Sequence, residues 1–393
     1  MRLIPSECPA RSFDDGETIV RSEVFWYKGN LHMHSLWSDG DDLPELIAAR
    51  FKEAGYHFIA FTEHDRFQEG EPPVLGTRRI EHLDPSKFSL KRLSEYRQTV
   101  EEPGRFLILN GEEVSVRCGD RRHWINVINA PEPLGPIVYD GDTSQAIRSV
   151  VTRAEQLGHG SLVSFNHPNY LWNGTAEDLA ESRVLRFFEI HTALNCTYSY
   201  GDERRVGAER MWDIALSLRL LGQEGQSLFG LATDDCHGYR SVDAGPCRAW
   251  VMVRAPELTP DALISSMSRG DFYCSTGVTL GWLEAGPHEI YLRIEETEGV
   301  SYTTRFIGTR QGVDLMATPT LDENGIPLHT TKRYTNDIGV ILKETVGPEA
   351  TYTFAGDEIY VRALIVSNCP HPCPTVSGDV LKAWTQPVCS GAL

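Results

Sequence analysis

The sequence predicts an α/β protein whose first two-thirds form a closed or nearly closed barrel and whose last third is all-β. Strand-like and helical segments alternate up to about residue 274, and such alternation is typical of a parallel sheet covered by helices. After Cys274 no long helical pattern remains, and short strands alternate with turn-rich pieces such as Asp322–Gly325. The length of 393 residues allows two domains.

The individual elements follow from hydrophobic spacing. Leu43, Leu46, Ile47 and Phe51 share one helical face, and Gly55 is a plausible stop for that first helix. Further helices are predicted near 143–157, 175–182 and 206–221. Apolar runs predict strands at 57–62, 105–110, 124–129, 161–165, 187–190, 228–232, 290–294, 352–354 and 359–366. The polar stretch at about 66–104 is predicted to be an insertion that covers the mouth of the barrel.

Charge and composition limit the partners. A formal net charge of −18 argues against nucleic acid as the main partner, because phosphate backbones are bound by clustered Lys and Arg. A small phosphorylated substrate remains compatible with this charge, since bound metal ions supply positive charge locally. We expect no membrane span, because no apolar run is long enough, and the sequence leaves the oligomeric state open.

Cysteine usage and the N-terminus predict the compartment. The nine cysteines are an odd number without a regular framework, which favours reduced thiols and a cytoplasmic protein. The first residues lack the apolar core of a signal peptide. Cys369 and Cys373 could form half of a zinc site, but a proline-rich surface loop is the preferred interpretation because no second pair completes four ligands.

Metal-ligand residue types recur at the ends of the predicted strands. Each alone would usually be an ordinary polar residue, and Asp39 could simply start the helix that follows it. Together they indicate a polynuclear metal site, because the C-terminal strand ends of a barrel meet at one mouth. Mixed imidazole and carboxylate donors favour zinc, manganese or iron over calcium or magnesium. The candidate ligands are His32, His34, Asp39, His64, Glu113, His123, His167, Asp235 and His237.

Five motifs in order carry a family resemblance: LHMHSLWSDG (31–40), FTEHD (61–65), GEEVS (111–115), NHPN (166–169) and DDCHG (234–238). They resemble the polymerase and histidinol phosphatase (PHP) superfamily over residues 28–285. The resemblance implies a distorted, TIM-like (β/α)7 barrel that holds two to three divalent ions. Residues 1–27 would be an N-terminal extension and residues 286–393 an appended, sandwich-like β domain. The insertion and the appended domain depart from the family pattern and leave the substrate open.

The resemblance also implies how the ligands are shared. Glu113 is preferred to Glu112, and Asp235 to Asp234, by their positions in the motifs. One ion would take His32, His34, Glu113 and Asp235, a second would share Glu113 with His123 and His167, and a third would take Asp39, His64 and His237.

The chemistry that such a site favours is hydrolysis of a phosphoester on a small phosphorylated substrate. Water held between two metal ions ionises near neutral pH and can attack phosphorus in line. Glu113, Asp235 and His191 are the predicted catalytic residues. The predicted substrate-binding residues are His191, Arg204, Arg205 and Arg240. Two alternatives remain: a metallohydrolase of amide or carboxylic ester bonds, and a non-catalytic module stapled by metals. The β domain is expected to supply no ligand.

Overall fold

The structure is a computed structural model that describes residues 24–73, 89–158, 160–222, 226–240 and 245–389. Cys8, residues 1–23 of the predicted extension and residues 74–88 of the predicted insertion lie outside these ranges. The helices are α1 (Pro44–Glu53), α2 (Leu93–Val100), α3 (Thr143–Gln156), α4 (Ala176–Glu181), α5 (Ala208–Leu221) and α6 (Pro260–Ser268).

The strands are β1 (Phe25–Asn30), β2 (Phe58–Ala60), β3 (Glu63–His64), β4 (Leu107–Leu109), β5 (Gly111–Cys118), β6 (Arg121–Ile128), β7 (Ile137–Tyr139), β8 (Leu162–Phe165), β9 (Phe187–Thr192), β10 (Phe229–Thr233), β11 (Trp250–Ala255), β12 (Phe272–Ser275), β13 (Leu280–Ala285), β14 (Glu289–Ile294), β15 (Tyr302–Arg310), β16 (Val340–Val346), β17 (Glu349–Thr353), β18 (Glu358–Pro370), β19 (Val380–Thr385) and β20 (Val388–Cys389).

Helices α1, α3, α4 and α5 lie where hydrophobic spacing predicts them, whereas α2 and α6 were not predicted. The predicted helices near 143–157, 175–182 and 206–221 are α3, α4 and α5. The Asp142 side chain accepts a hydrogen bond from the backbone N–H of Gln145 and so satisfies one open donor at the start of α3. Helix α1 begins at Pro44 after Leu43, so Asp39 does not cap it. No described helix combines the length and apolar character that crossing a bilayer requires.

The predicted closed barrel is wrong, because its strands are divided between two mixed sheets. The order β10-β9-β8-β6-β5-β3, with β7 beside β5, forms one sheet, whereas β1, β2 and β4 belong to another. Strand β6 also runs antiparallel to both β5 and β8. Only Gly119 and Asp120 separate β5 from β6. A two-residue connection allows only an antiparallel hairpin, since a parallel pair needs a crossover of a dozen or more residues.

The two sheets meet just beyond the end of β1. Met33 forms an isolated parallel bridge with Cys236, and the N–H of Asp235 donates to the carbonyl of His32 at 3.1 Å. On the other side, the N–H of Thr62 donates to the carbonyl of Met33 at 3.0 Å. The segments that follow β1, β2 and β10 are therefore held side by side, which brings their polar residues together.

The last third of the chain is all-β in the described residues, and it shares a sheet with the first part. Its strands extend the larger sheet, whose order is β16-β15-β18-β19-β12-β11-β1-β2-β4, with β20 beside β18. A separate sheet, β13-β14-β17, packs on this one through apolar side chains such as Leu283, Ile290 and Ala363. The predicted boundary near residue 285 lies between β13 and β14, whereas the pairing of β12 with β19 crosses it. A chain ending at residue 285 would therefore leave the edge of β12 unpaired.

A buried ion pair joins α5 to β18. The Arg362 guanidinium donates to Asp213 through Nε at 2.9 Å and through Nη2 at 2.8 Å. The Tyr360 hydroxyl donates to the same carboxylate at 2.9 Å. All three residues are buried, so these contacts satisfy charges that would otherwise be left in an apolar core.

The cysteines of the described part form no disulfide bonds with one another. In the loop between Cys369 and Cys373, both ring nitrogens of His371 contact backbone groups. The N–H of Cys373 donates to Nδ1 at 3.0 Å, and Nε2 lies 3.1 Å from the carbonyl oxygen of Arg248. These contacts fit a structured loop and not a zinc half-site.

Candidate metal centre

Eight of the nine predicted ligands converge in one cluster where the two sheets meet. They form three groups that share residues. Within each group, the possible ligand atoms all lie within 4.8 Å of one another. The groups are His34, Asp39, His64 and His237; His32, His34 and Asp235; and His32, Glu113 and His167. No residue of the described C-terminal third takes part in these groups. The cluster is therefore a candidate divalent-metal site built entirely by the first part of the chain.

Glu113 lies at the centre of the cluster, with its side chain only 1% exposed. Its Oε1 is 3.2 Å from Nε2 of both His32 and His167. Its Oε2 is 2.9 Å from His64 Nδ1 and 3.5 Å from His34 Nε2. Donors bound to one zinc-sized ion at about 2.1 Å lie roughly 3.0–3.5 Å apart. The two oxygens of Glu113 therefore face two different sets of imidazoles, as a carboxylate shared by two ions would.

Asp235 completes the inner part of the cluster. Its Oδ1 is 3.2 Å from His32 Nε2 and 3.3 Å from His34 Nε2. The backbone of Asp235 has a φ of 49°, in the left-handed region that non-glycine residues rarely adopt. Such strain costs about 1–3 kcal/mol and persists only where surrounding contacts enforce it. Here the bridge between Met33 and Cys236 holds this segment against the end of β1.

The outer part of the cluster faces solvent. Asp39 Oδ1 is 3.1 Å from His237 Nε2 and 3.5 Å from His64 Nε2, and the Asp39 side chain is 44% exposed. Gly40 is needed beside it, because a Cβ there would lie 2.4 Å from the carbonyl oxygen of His34. The tight turn therefore directs Asp39 back towards the histidines.

The hydrogen bonding of His32 tests whether these residues fit a metal. Its Nδ1 lies 2.7 Å from Glu189 Oε1, which fixes a proton on Nδ1. In the neutral ring, Nε2 then presents a lone pair to the oxygens of Glu113 and Asp235 and to His34 Nε2, each 3.2 Å away. Lone pairs in such a group repel one another unless a cation lies among them. The donor set therefore fits one or more divalent ions.

The pKa values show how strongly the carboxylates attract positive charge here. Burial lowers the pKa of His32, but Asp235, Glu189 and Glu113 outweigh it and raise the pKa well above its usual value. Burial likewise opposes protonation of His64 and His237, but Glu113 raises the pKa of His64 to about 9 and Asp235 raises that of His237 to about 9. A divalent ion would be attracted by the same charges and would displace these protons.

His123 is the predicted ligand that the structure does not bring into the cluster. Its Nε2 lies 3.1 Å from the Thr143 hydroxyl, and its ring packs 5.6 Å from that of Phe165. The register of the hairpin explains this position. Glu113 pairs with Asn126, and His123 lies three positions from Asn126, so its side chain leaves β6 on the opposite face.

The two histidines that the resemblance assigns to one ion should therefore respond differently to substitution. His167→Asn is expected to lower the metal stoichiometry, because His167 Nε2 lies 3.2 Å from Glu113 Oε1. His123→Asn is expected to leave the stoichiometry unchanged. Elemental analysis of the two purified variants, each compared with the unmodified protein, checks this. Equal metal loss in both variants would indicate that His123 also binds a metal ion.

The four residues that the sequence predicts to bind substrate contact side chains outside the cluster. His191 is buried, with its ring stacked 5.6 Å from that of Trp384, and burial lowers its pKa to about 3. Arg204 pairs with Glu323 at 2.6 Å, and Arg205 pairs with Asp202 at 2.6 Å. Arg240 Nη2 lies 3.4 Å from Asp42 Oδ2. None of these four belongs to the groups of metal-ligand atoms in the described residues.

Three supporting residues were missed by sequence reasoning. Glu189 holds His32, and its Oε2 also accepts the N–H of His167 at 2.9 Å. Glu63 accepts hydrogen bonds from the hydroxyls of Ser35 and Ser38, and Ser38 Oγ lies 3.3 Å from His34 Nδ1. Asn166 donates to Glu113 Oε1 at 2.8 Å. The available signal was an acidic or amide residue adjacent to, or two positions from, a histidine in a strand or just after it.

Glu189→Gln should weaken metal binding while preserving the size of the side chain. A carboxylate that holds a ligating histidine typically contributes about ten- to a hundredfold in metal affinity. Competition with a chromogenic chelator measures this affinity. Glu344→Gln is the matched control, because Glu344 is an exposed carboxylate paired with Arg305 on β15. Unchanged affinity in Glu189→Gln would mean that the charge of Glu189 does not contribute to metal binding.

The neighbouring acidic residues have structural contacts of their own. Glu112 accepts backbone N–H groups from Leu134 at 2.6 Å and Gly135 at 2.8 Å. Asp234 accepts three successive N–H groups from residues 247–249, at 2.7, 2.8 and 2.9 Å. Glu112 and Asp234 therefore hold loops in place, whereas their neighbours Glu113 and Asp235 belong to the cluster.

Comparisons with known proteins give matches among solved structures only. No family model and no curated protein matches this chain. A two-domain protein from Bacteroides vulgatus, described as containing a predicted PHP-like metal-dependent phosphoesterase, has a TM-score of 0.44 and 14% identity, over 93% of this chain and 96% of that chain.

Two further structures are a Chromobacterium violaceum amidohydrolase with bound sulfate and a Lactococcus lactis histidinol phosphate phosphatase with zinc, L-histidinol and phosphate. The first has 13% identity and a TM-score of 0.33, over 62% of this chain and 96% of that chain. The second has 20% identity and a TM-score of 0.22, over 55% and 88%. Because every one of these scores is below 0.5, the function rests on the geometry of the cluster itself.

Proposed function

We propose that this protein is a metal-dependent phosphoesterase that hydrolyses a small phosphorylated substrate. The observation that carries the proposal is the position of Glu113, whose two carboxylate oxygens face two different sets of histidines. Such a shared carboxylate supports two ions held close together, the arrangement used by many hydrolases of phosphoesters. Bound divalent ions of zinc, manganese or iron would supply positive charge and the activation of a water nucleophile.

The protein's own residues would hold this centre in two layers. Glu113, Asp235, His32 and His34 are buried and would form its base. Behind them, Glu189 fixes the ring of His32 through the 2.7 Å contact with Nδ1. A ligand whose orientation is fixed in advance does not have to be ordered when the ion binds, so the geometry is set before the substrate arrives.

The substrate would approach from the side of Asp39, His64 and His237. These side chains are partly exposed, whereas the base of the cluster is closed to solvent. A phosphate entering here would meet the ions directly. Arg204, Arg205 and Arg240 each lie beside a carboxylate, so the positive charge for phosphate is expected to come from the ions.

A panel of substrates tests the proposal. Metal-loaded protein should hydrolyse phosphomonoesters or bis-p-nitrophenyl phosphate, and chelator-treated protein should not. Glu113→Gln serves as the control for contaminating phosphatases. Hydrolysis of carboxylic esters or amides without phosphoesters would support the second class of hydrolase. Full metal content without turnover of any substrate would support a metal-stapled binding module instead.

A further inference from the structure

Four aromatic side chains lie in and beside the loop that follows the proposed metal ligand His167. The ring of Tyr170 lies 5.3 Å from that of the ligand His167, and Trp124 lies 5.2 Å from Tyr170. Further out, the ring of Trp172 lies 4.8 Å from that of Tyr198. We call Trp124, Tyr170, Trp172 and Tyr198 the aromatic wall. Within the wall, Tyr170 contacts the proposed metal ligand His167, and Tyr198 is exposed.

The inner end of the aromatic wall is close to the cluster. The Tyr170 ring contacts that of His167, whose Nε2 lies 3.2 Å from Glu113 Oε1. The loops that carry the wall are tied together, because the Asn169 side chain donates to the carbonyls of Tyr198 and Val206, both at 3.0 Å. The segment that follows the proposed ligand His167 therefore holds the Tyr198 loop in place.

The backbone of these loops is strained in a way that exposes large side chains. Leu171, Trp172 and Tyr198 have φ values of 54°, 55° and 50°, in the left-handed region. Leu171 and Tyr198 are 56% and 47% exposed. Folding alone gains little from holding bulky apolar residues in strained, exposed positions. Strain of this kind clusters at binding sites, and exposed apolar patches beside polar clefts mark ligand surfaces.

The guanidinium of Arg205 packs on the ring of Trp172, the neighbour of Tyr198 in the wall. The Arg205 guanidinium lies 4.4 Å from the centre of the Trp172 ring and pairs with Asp202 at 2.6 Å. Arg205 thus acts as a brace for Trp172, which in turn packs on Tyr198. The half-exposed ring of Tyr198 is consequently held as a rigid, flat surface.

From these observations we propose that the substrate carries a planar unsaturated ring, which stacks on the aromatic wall at Tyr198 while its phosphate faces the metal cluster. This inference rests on the proposed function. A flat ring fits because aromatic side chains gain most from other planar groups, in stacked or edge-on contact, and because the brace prevents the wall from adapting to irregular shapes. An aliphatic group of equal size would gain burial but lose the stacking contact.

The test compares two substrates that differ only in planarity. Benzyl phosphate and cyclohexylmethyl phosphate have similar size and similarly poor alkoxide leaving groups. We expect kcat/KM to favour benzyl phosphate by about five- to tenfold, chiefly through KM. Tyr198→Asn should reduce the ratio to about one, because it removes the ring while asparagine tolerates the left-handed backbone. Tyr198→Phe should keep the ratio. Tyr291→Ala, on β14 in the three-stranded sheet, is the control.

A binding measurement separates this inference from the proposed function. The corresponding phosphonates, which cannot be hydrolysed, are titrated calorimetrically into metal-loaded protein and its Tyr198→Asn variant. Turnover of both esters with equal kcat/KM would overturn the ring preference and leave the phosphoesterase in place. No turnover, with benzylphosphonate still bound about fivefold more tightly than its cyclohexyl counterpart, would support the wall and overturn the phosphoesterase. Equal binding, or none, would overturn the ring preference.

Discussion

Glu113→Gln is expected to lower turnover by about a thousandfold or more and to reduce the metal content below that of the unmodified protein. Glutamine keeps the shape of the side chain but loses the charge, and its amide nitrogen cannot ligate an ion. Because both carboxylate oxygens face imidazoles of the cluster, one substitution disturbs two groups of ligands. Losing several kcal/mol of metal-derived stabilisation corresponds to a rate loss of this size.

Glu112→Gln is the matched control for this experiment. It changes the adjacent residue of the same strand by the same chemistry, but Glu112 accepts backbone N–H groups from Leu134 and Gly135. We expect it to lower stability and to leave metal content near normal. Elemental analysis, steady-state kinetics and circular dichroism are compared for both variants. Near-normal turnover in folded Glu113→Gln would show that another carboxylate joins the ions.

Asp213→Asn is expected to lower the free energy of unfolding by about 3–5 kcal/mol. The substitution removes the charge that Arg362 faces at 2.8 and 2.9 Å, and leaves a buried guanidinium with Glu209 at 3.6 Å as its remaining carboxylate. A loss of this size is a large part of the stability of an ordinary domain. Urea-induced unfolding, followed by tryptophan fluorescence, measures it.

Removing an exposed pair provides the comparison for Asp213. Glu344→Gln breaks the contact between Glu344 and Arg305 on β16 and β15, where both side chains are more than 40% exposed. Exposed pairs contribute about 0–1 kcal/mol, so this variant should unfold near the midpoint of the unmodified protein. If Asp213→Asn behaved in the same way, α5 would be held to β18 chiefly by apolar packing and the ion pair would be incidental.

The structure gives the physical reason behind the expectation for a shortened chain. From sequence, residues 1–285 are expected to keep the metal ions with a loss of stability, because every candidate ligand lies at or before His237 and apolar strand faces would be exposed. In the structure, β12 pairs with β19, and the core of the first part includes Ile307, Tyr360 and Trp384. Ending the chain at residue 285 would open this core to water. We therefore expect the C-terminal third to stabilise the candidate metal centre, although none of its described residues belongs to the groups of possible ligands.

Spacing along the chain was enough to identify the candidate ligands that are close neighbours in sequence. His32 and His34, like Asp235 and His237, are spaced so that one extended segment presents both side chains to the same site. The predicted strand ends and the loop after the first strand located the five remaining candidates, and apolar spacing located α1, α3, α4 and α5. These features depend on residues close in sequence, so they can be predicted without the fold.

Which side chains meet across strands could not be predicted, because it depends on strand order and register. The pairing of Glu113 with Asn126 places His123 on the far face of β6 and leaves Asn166, from β8's end, to contact Glu113. The pairing of β12 with β19 merged the predicted second domain into the first sheet. Strand order and register depend on contacts between residues far apart in the chain. A shift of one residue exchanges the two faces of a strand, so hydrophobic spacing alone does not specify them.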